Sequence, residues 1–193
     1  MKELNDAIMK FGRGISDDIV KVDMFLNHRI DVALLFKMGE ALGEHFRAER
    51  PTMVLTVEAS GIALALTTAH ALGDIPVVYA KKSAARNQSD DMAQTPVYSY
   101  THGCNNYIRV DRKYMPIGSR VLIVDDFLAE GNAVSGMMRL VEALDSKVCG
   151  VGIGVEKGFQ QGGARLRAQG IDLKSLAVIK SIEDGQVVLD DED

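Results

Sequence analysis

One segment restricts the fold more than any other part of this 193-residue chain. It is an apolar run that ends in two acids and then passes through a glycine-containing turn into a helix. Residues 120–126 read RVLIVDD, which predicts a buried β-strand, and residues 133–147 have the apolar spacing of a helix. The turn between them contains Gly131. A strand, a turn and a helix in this order predict one unit of an α/β domain.

Units of the same kind surround this segment. Strands are predicted at 53–57, 75–80 and 148–156, and helices at 31–50 and 62–72. The sequence therefore predicts an α/β fold, with a parallel sheet flanked by helices, in a single domain spanning residues 1–193. Ligands of such sheets bind outside the carboxyl ends of the strands. Those ends are predicted at residues 58–61, 81–82, 125–133 and 156–157.

The middle of the chain has a different character. Residues 81–94 are polar and charged, which predicts a long loop, and loops of this length often close over a binding site. Residues 96–101 and 106–111 predict a β-hairpin at the base of that loop. Towards the end of the chain, a short helix at 163–169 precedes two strands joined by a turn at 183–185.

The segment VLIVDDFLAEGNAVSG suits a sugar phosphate. Its strand brings Asp125 and Asp126 to one edge of the sheet, where carboxylates can accept hydrogen bonds from vicinal hydroxyls. The helix that follows Gly131 begins with free backbone N–H groups, which favour a phosphate. The segment is neither a Walker loop nor a dinucleotide fingerprint. The alternative is an ordinary turn in which an acid caps the helix.

The same residues resemble the 5-phosphoribosyl 1-pyrophosphate (PRPP) motif of the type I phosphoribosyltransferases. That family usually has Thr-Gly-x-Thr in its phosphate loop, whereas this chain has Ala129, Glu130, Gly131, Asn132 and Ala133. Both threonine hydroxyls are absent, and Glu130 adds a negative charge. We therefore expect Glu130 to point to solvent and Asn132 to supply a side-chain donor.

The resemblance covers nearly the whole chain, from about residue 15 to residue 188. The segments KVDMFLNHRID, TVEASGIA and VEKGFQ are most similar to purine enzymes of the family that act on xanthine. The resemblance implies transfer of the 5-phosphoribosyl group from PRPP to xanthine, giving xanthosine 5′-monophosphate (XMP) and pyrophosphate. It also implies a small hood built from residues 1–30, a cytoplasmic homodimer, and Mg²⁺ that is bound with PRPP rather than by protein ligands.

The resemblance further implies a role for each candidate residue. Asp125 and Asp126 would hold the ribose. PRPP would be bound by the loop of Ala129, Glu130, Gly131, Asn132 and Ala133, and by Glu58, Ala59, Ser60, Gly61 and Lys82. Xanthine would be bound by Val20, Asn27 and Lys157. Taken by themselves, the turn at 58–61 and the two lysines are equally compatible with an ordinary βα turn and solvated side chains.

The charge composition limits the classes of partner that we expect the protein to bind. The 22 Lys and Arg against 27 Asp and Glu give a net charge of −5, which disfavours nucleic acid as a partner. The first ten residues do not form a signal peptide and no segment predicts a membrane span, so we expect a cytoplasmic protein. Two alternatives stay open: a PRPP-sensing regulator that binds DNA, and an enzyme of the same class that acts on guanine, hypoxanthine or adenine.

Overall fold

The computed structural model of the chain describes residues 1–16, 18–82, 91–99 and 104–190. Its helices are α1 (Lys2–Phe11), α2 (Val32–Phe46), α3 (Gly61–Ala71), α4 (Asn132–Ala143) and α5 (Gln161–Ala168). Its strands are β1 (Arg13–Gly14), β2 (Val20–Lys21), β3 (Met53–Val57), β4 (Val77–Ala80), β5 (Met92–Ser99), β6 (Cys104–Asp111), β7 (Arg120–Leu128), β8 (Lys147–Lys157), β9 (Leu173–Glu183) and β10 (Gln186–Leu189). A π-helical turn spans Asp23–Asn27, and short 3₁₀ turns span Arg47–Glu49 and Arg112–Tyr114.

The central sheet has six strands in the order β10-β9-β8-β7-β3-β4. The predicted parallel sheet is confirmed for the run from β4 to β9, and β10 is antiparallel to β9. From β3 the chain continues outwards to β4, whereas from β7 it continues in the opposite direction to β8 and β9. This reversal between β3 and β7 opens a crevice at the carboxyl ends of the two strands.

Apolar side chains cover both faces of the sheet. On one face Leu122 and Val124 of β7 pack with buried residues of α1, α2 and α3. On the other face Val121 and Ile123 pack with buried residues of α4 and of the β5–β6 hairpin. Since successive side chains of a strand point to opposite faces, residues 121–124 of β7 have to be continuously apolar to fill both layers.

Helix α2 forms as its sequence predicts. Asp31 caps it by accepting a hydrogen bond from the Leu34 amide at 3.1 Å. The predicted apolar positions are all buried: Leu34, Leu35, Met38, Leu42 and Phe46. The helix ends a few residues before the predicted stop at 50 because the chain tightens into the 3₁₀ turn Arg47–Glu49.

The first residues form α1, a helix that was not among the predicted elements. Its Leu4 and Ile8 are fully buried against the core. Next, β1 and β2 pair with each other, and the Gly14 amide donates to the Gly185 carbonyl at 3.0 Å between β9 and β10. Leu4 and Ile8 recur at helical spacing, so the sequence does contain an amphipathic pattern, and packing of this face against the core stabilises the short helix. The role of residues 1–30 as a hood over a bound base stays a prediction.

Other predicted boundaries also differ from those of the structure. Residues 92–94 belong to β5 rather than to a loop, because β5 pairs with β6 from Met92 onwards. Residues 83–90, which make up most of the loop predicted at 81–94, lie outside the described residues. Strand β7 continues to Leu128 because its last residues pair with β8, and α4 ends at Ala143 because the chain turns there into β8. Among the described helices, none has the length and apolar character needed to cross a membrane.

Candidate active site

Asp126 is the point at which three predicted segments meet. Its side chain lies at the carboxyl end of β7, and the residue is 6% exposed. One carboxylate oxygen accepts a hydrogen bond from Ser60 Oγ at 3.0 Å, and the other accepts one from Asn27 Nδ2 at 3.2 Å. The turn after β3, the π-helical turn near the start of the chain and the acid pair of β7 are therefore brought together.

Asp125 faces the start of α3. Its Oδ1 accepts a hydrogen bond from the Asp126 amide at 3.0 Å. A Cβ atom added to Gly61 would lie 2.6 Å from this oxygen and would collide with Thr56 Oγ1, so the close approach of α3 to β7 requires glycine here. Burial, together with the negative charge of Asp126, raises the pKa of Asp125 well above its ordinary value. A cation or a pair of ligand hydroxyls at this edge would favour the ionised pair.

The turn at 58–61 and Lys82 are joined through Glu58. This turn follows β3, and its Glu58–Ala59 peptide bond is cis. Glu58 Oε1 accepts a hydrogen bond from the Lys82 amide at 2.5 Å, and Lys81 pairs with Arg109 of β6 through backbone hydrogen bonds of 2.9 and 3.0 Å. The predicted pyrophosphate residues therefore lie side by side. The acceptor role of Glu58 has no signal in the sequence, because its partner is 24 residues away.

The loop of residues 129–133 leads into α4 through Gly131. This glycine has a φ of 78°, which is in the left-handed region that favours glycine, and α4 begins directly after it. The first turn of a helix has N–H groups without partners inside the helix. The loop is thus shaped to hold an anion, and Asn132 and Ala133 are the first two residues of α4.

Glu130, which was expected to point to solvent, is partly exposed and is paired with a cation. Its Oε2 lies 3.3 Å from Nη2 of Arg165, and the same nitrogen donates to the Glu130 backbone carbonyl. The contact forms because the start of α5 lies against the loop, where the Gly162 amide donates to the Ala129 carbonyl at 3.2 Å. The acid that departs from the family pattern is therefore paired with a cation from another element.

The residues predicted for the base lie within residues 1–30 and on β8. Val20, in β2, is partly buried and packs against the core. Lys157 ends β8, and its Nζ donates to the backbone carbonyl of Asp18 at 2.6 Å, so it ties β8 to the segment that precedes β2. Burial lowers the pKa of Lys157, although Asp18 partly offsets this effect. An ammonium group has three N–H donors, so the contact with Asp18 is compatible with a second contact to a ligand.

Glu156, next to Lys157, has a structural role that sequence reasoning missed. The residue is 3% exposed, and its two carboxylate oxygens each accept a hydrogen bond of 2.7 Å from Arg167 of α5. Ser175 Oγ donates to one of them at 2.5 Å. Burial opposes ionisation of Glu156, but the hydrogen bonds from Arg167 and Ser175 outweigh it and lower the pKa. These contacts fix α5 against β8 and β9.

Comparison with known proteins extends this description. Residues 28–165 match the profile of the phosphoribosyl transferase domain. The chain is 46% identical over 187 residues to the xanthine phosphoribosyltransferase of Clostridioides difficile (strain 630), covering 97% of this chain and 98% of that protein. It is 45% identical over 189 residues to the xanthine phosphoribosyltransferase of Bifidobacterium longum subsp. infantis, again covering 97% and 98%.

Solved structures show the same fold. The crystal structure of adenine phosphoribosyltransferase from Rhodothermus marinus aligns with a TM-score of 0.72 at 25% identity, covering 92% of this chain and 99% of that one. The matched profile runs through the turn after β3, the acid pair of β7 and the end of β8. On the strength of these matches, the chain belongs to the phosphoribosyltransferase family.

Proposed function

We propose that this chain is a xanthine phosphoribosyltransferase, which transfers the 5-phosphoribosyl group of PRPP to N9 of xanthine and releases XMP and pyrophosphate. The observation that carries the proposal is the position of Asp126. One carboxylate oxygen contacts Ser60 of the predicted pyrophosphate turn, and the other contacts Asn27 of the predicted base site. A ribose bound at Asp126 would thus lie between its leaving group and its acceptor.

The chain's part in this reaction is to position the substrates and to stabilise charge. As C1 of the ribose loses pyrophosphate, positive charge develops on the sugar ring, and the adjacent carboxylates of Asp125 and Asp126 stabilise it electrostatically. The same two acids accept hydrogen bonds from the ribose hydroxyls. The loop from Ala129 to Ala133 holds the 5′-phosphate at the start of α4. No side chain forms a covalent intermediate in this scheme.

The leaving pyrophosphate is assigned to the turn of Glu58, Ala59, Ser60 and Gly61 and to Lys82. The Lys82 amide is fixed by Glu58, which anchors the backbone of Lys82 beside the turn. Within the described ranges, no group of three or more His, Cys, Asp or Glu side chains could hold a metal ion. We propose, as the resemblance implies, that Mg²⁺ binds together with PRPP; the hard carboxylate oxygens of Asp125 and Asp126 are of the kind that Mg²⁺ prefers. Bound with PRPP, Mg²⁺ would neutralise charge on the leaving group.

The base is assigned to Val20, Asn27 and Lys157. Xanthine has a carbonyl at C2 where guanine has an amino group and hypoxanthine has hydrogen, so a pocket that prefers xanthine needs a donor there. The Asn27 amide has two N–H donors, of which Asp126 takes one, and Lys157 carries only donors. Xanthine is also the most acidic of these oxopurines, so a nearby ammonium favours it further. We propose in addition that the enzyme is a cytoplasmic homodimer.

A panel of purine bases tests the proposal. Purified protein is incubated with PRPP, Mg²⁺ and either xanthine, guanine, hypoxanthine or adenine, and the nucleotides are separated by chromatography. We expect the highest kcat/KM with xanthine, lower values with guanine and hypoxanthine, and essentially no product with adenine. Best use of another base would refute the choice of xanthine but not phosphoribosyl transfer. No nucleotide with any base, together with DNA binding at low salt, would favour the regulator instead.

A further inference from the structure

Glu130 places a carboxylate in the loop that is assigned to the 5′-phosphate of PRPP. A phosphate monoester carries about two negative charges near neutral pH, and like charges repel each other. Glu130 directly precedes Gly131, the residue immediately before α4, so it lies two residues from the helix start that is assigned to the phosphate. An unpaired acid at this position would weaken binding of the phosphate.

Arg165 of α5 supplies the compensating charge. Its Nη2 lies 3.3 Å from Glu130 Oε2 and also donates to the Glu130 backbone carbonyl. A guanidinium stays protonated at all physiological pH values and presents its donors in a rigid, planar arrangement. One side chain therefore neutralises the carboxylate and fixes the backbone of the same loop residue.

The backbone of α5 approaches the loop closely as well. A Cβ atom added to Gly162 would collide with the Ala129 carbonyl oxygen and would lie 2.8 Å from the Gly131 nitrogen. Glycine at 162 thus permits the start of α5 to lie directly on the loop. Arg165, about one helical turn further along, is then within reach of Glu130.

We propose that Arg165 is a positioning residue for PRPP, an inference that rests on the proposed function. It binds Glu130 and so removes the repulsion that this acid would exert on the 5′-phosphate. Arg165 acts through Glu130 and does not touch the ribose.

The main test is Arg165→Met, which keeps much of the side-chain volume but removes the charge. We expect the KM for PRPP and the Kd for ribose 5-phosphate, measured by calorimetry, to rise about threefold to tenfold, because interactions between partly exposed charges are modest. The kcat and the KM for xanthine should change less than about twofold. Raising the salt concentration should shrink the defect, since salt screens exposed charges.

Two further variants separate positioning from direct contact. In Glu130→Gln/Arg165→Met the repulsive carboxylate is gone as well, so most of the affinity for ribose 5-phosphate should return. Arg165→Lys keeps the charge without the planar fork and should fall between wild type and Arg165→Met. Arg120→Met is the matched control, because Arg120 makes the same two contacts with Glu49, at the opposite end of β7. It should leave ribose 5-phosphate affinity unchanged.

Unchanged affinity for ribose 5-phosphate in Arg165→Met would overturn the proposal. A double variant no better than Arg165→Met would also overturn it, since Arg165 would then act directly or only on folding. Failure of the proposed function has a different signature, because the wild type would then make no nucleotide from PRPP with any purine. The binding measurements on ribose 5-phosphate do not depend on that activity.

Discussion

Replacing Asp126 by Asn tests the ribose site most directly. In the structure its two carboxylate oxygens accept from two different donors, Ser60 Oγ at 3.0 Å and Asn27 Nδ2 at 3.2 Å. An amide has only one oxygen, so in Asp126→Asn one of these donors would face an NH₂ group. The Ser60 hydroxyl can rotate and accept a hydrogen bond instead, so we expect the fold to survive with a loss of about 1 kcal/mol in the free energy of unfolding.

The effect on catalysis should be larger than the effect on stability. A hydrogen bond to a charged acceptor contributes about 1.5–3 kcal/mol, and each 1.4 kcal/mol corresponds to about a factor of ten. We therefore expect kcat/KM for PRPP to fall about 10- to 100-fold in Asp126→Asn. With Asp125→Asn added, the fall should reach about 10²- to 10⁴-fold, since both acceptors for the ribose hydroxyls then lose their charge.

The assay measures initial rates of XMP formation at varied PRPP and saturating xanthine, with calorimetry for PRPP binding and thermal unfolding to check the fold. Asp172→Asn is a suitable control, because Asp172 pairs with His45 on the surface just before β9 begins, at the opposite edge of the sheet. A folded double variant that keeps wild-type kcat/KM for PRPP would refute the assignment of these acids to the ribose.

Three further predictions address the base, the loop and the ion pair behind β8. Asn27→Ala should narrow the ratio of kcat/KM between xanthine and hypoxanthine, because it removes a donor that only xanthine uses; an equal loss with both bases would make Asn27 structural. Amides of residues 81–91, the part of the predicted loop that precedes β5, should gain protection from hydrogen exchange when PRPP and a base analogue bind, and unchanged protection with binding demonstrated would exclude a lid. Glu156→Gln should lower the free energy of unfolding by about 2 kcal/mol at pH 7. This loss lies between those typical of breaking an exposed and a buried ion pair, because Glu156 is buried and Arg167 is half-exposed. The folded state lowers the pKa of Glu156, so the ionised side chain stabilises the fold at pH values above its unfolded pKa of about 4.3. This stabilisation is lost as the pH falls through the lowered pKa of the folded state. The free energies of unfolding of wild type and Glu156→Gln, measured by chemical unfolding, should therefore converge towards pH 3.

The sequence alone was sufficient to predict those features that are decided by residues close together in the chain. The apolar spacing of α2 predicted its buried face, and the continuous apolar run of β7 predicted a strand covered on both sides. Gly131 and the acid pair marked the turn and the edge of the sheet where the candidate site lies. These features depend on periodicity, capping and backbone freedom, all of which act over a few residues.

Only the tertiary structure decided which side chains meet. Asn27 contacts Asp126 across 99 residues, Lys157 contacts the Asp18 carbonyl across 139, and Arg165 contacts Glu130 across 35. No periodicity links such positions, and the polar side chains involved have several possible partners when considered in sequence alone. Their pairing follows from the strand order, which places β7 beside β3, and from the close approach of α5 to the phosphate loop at Gly162. Helix α1 has an amphipathic pattern of its own, with Leu4 and Ile8 on one face, but so short a helix is only marginally stable alone and depends on burial of that face against the core.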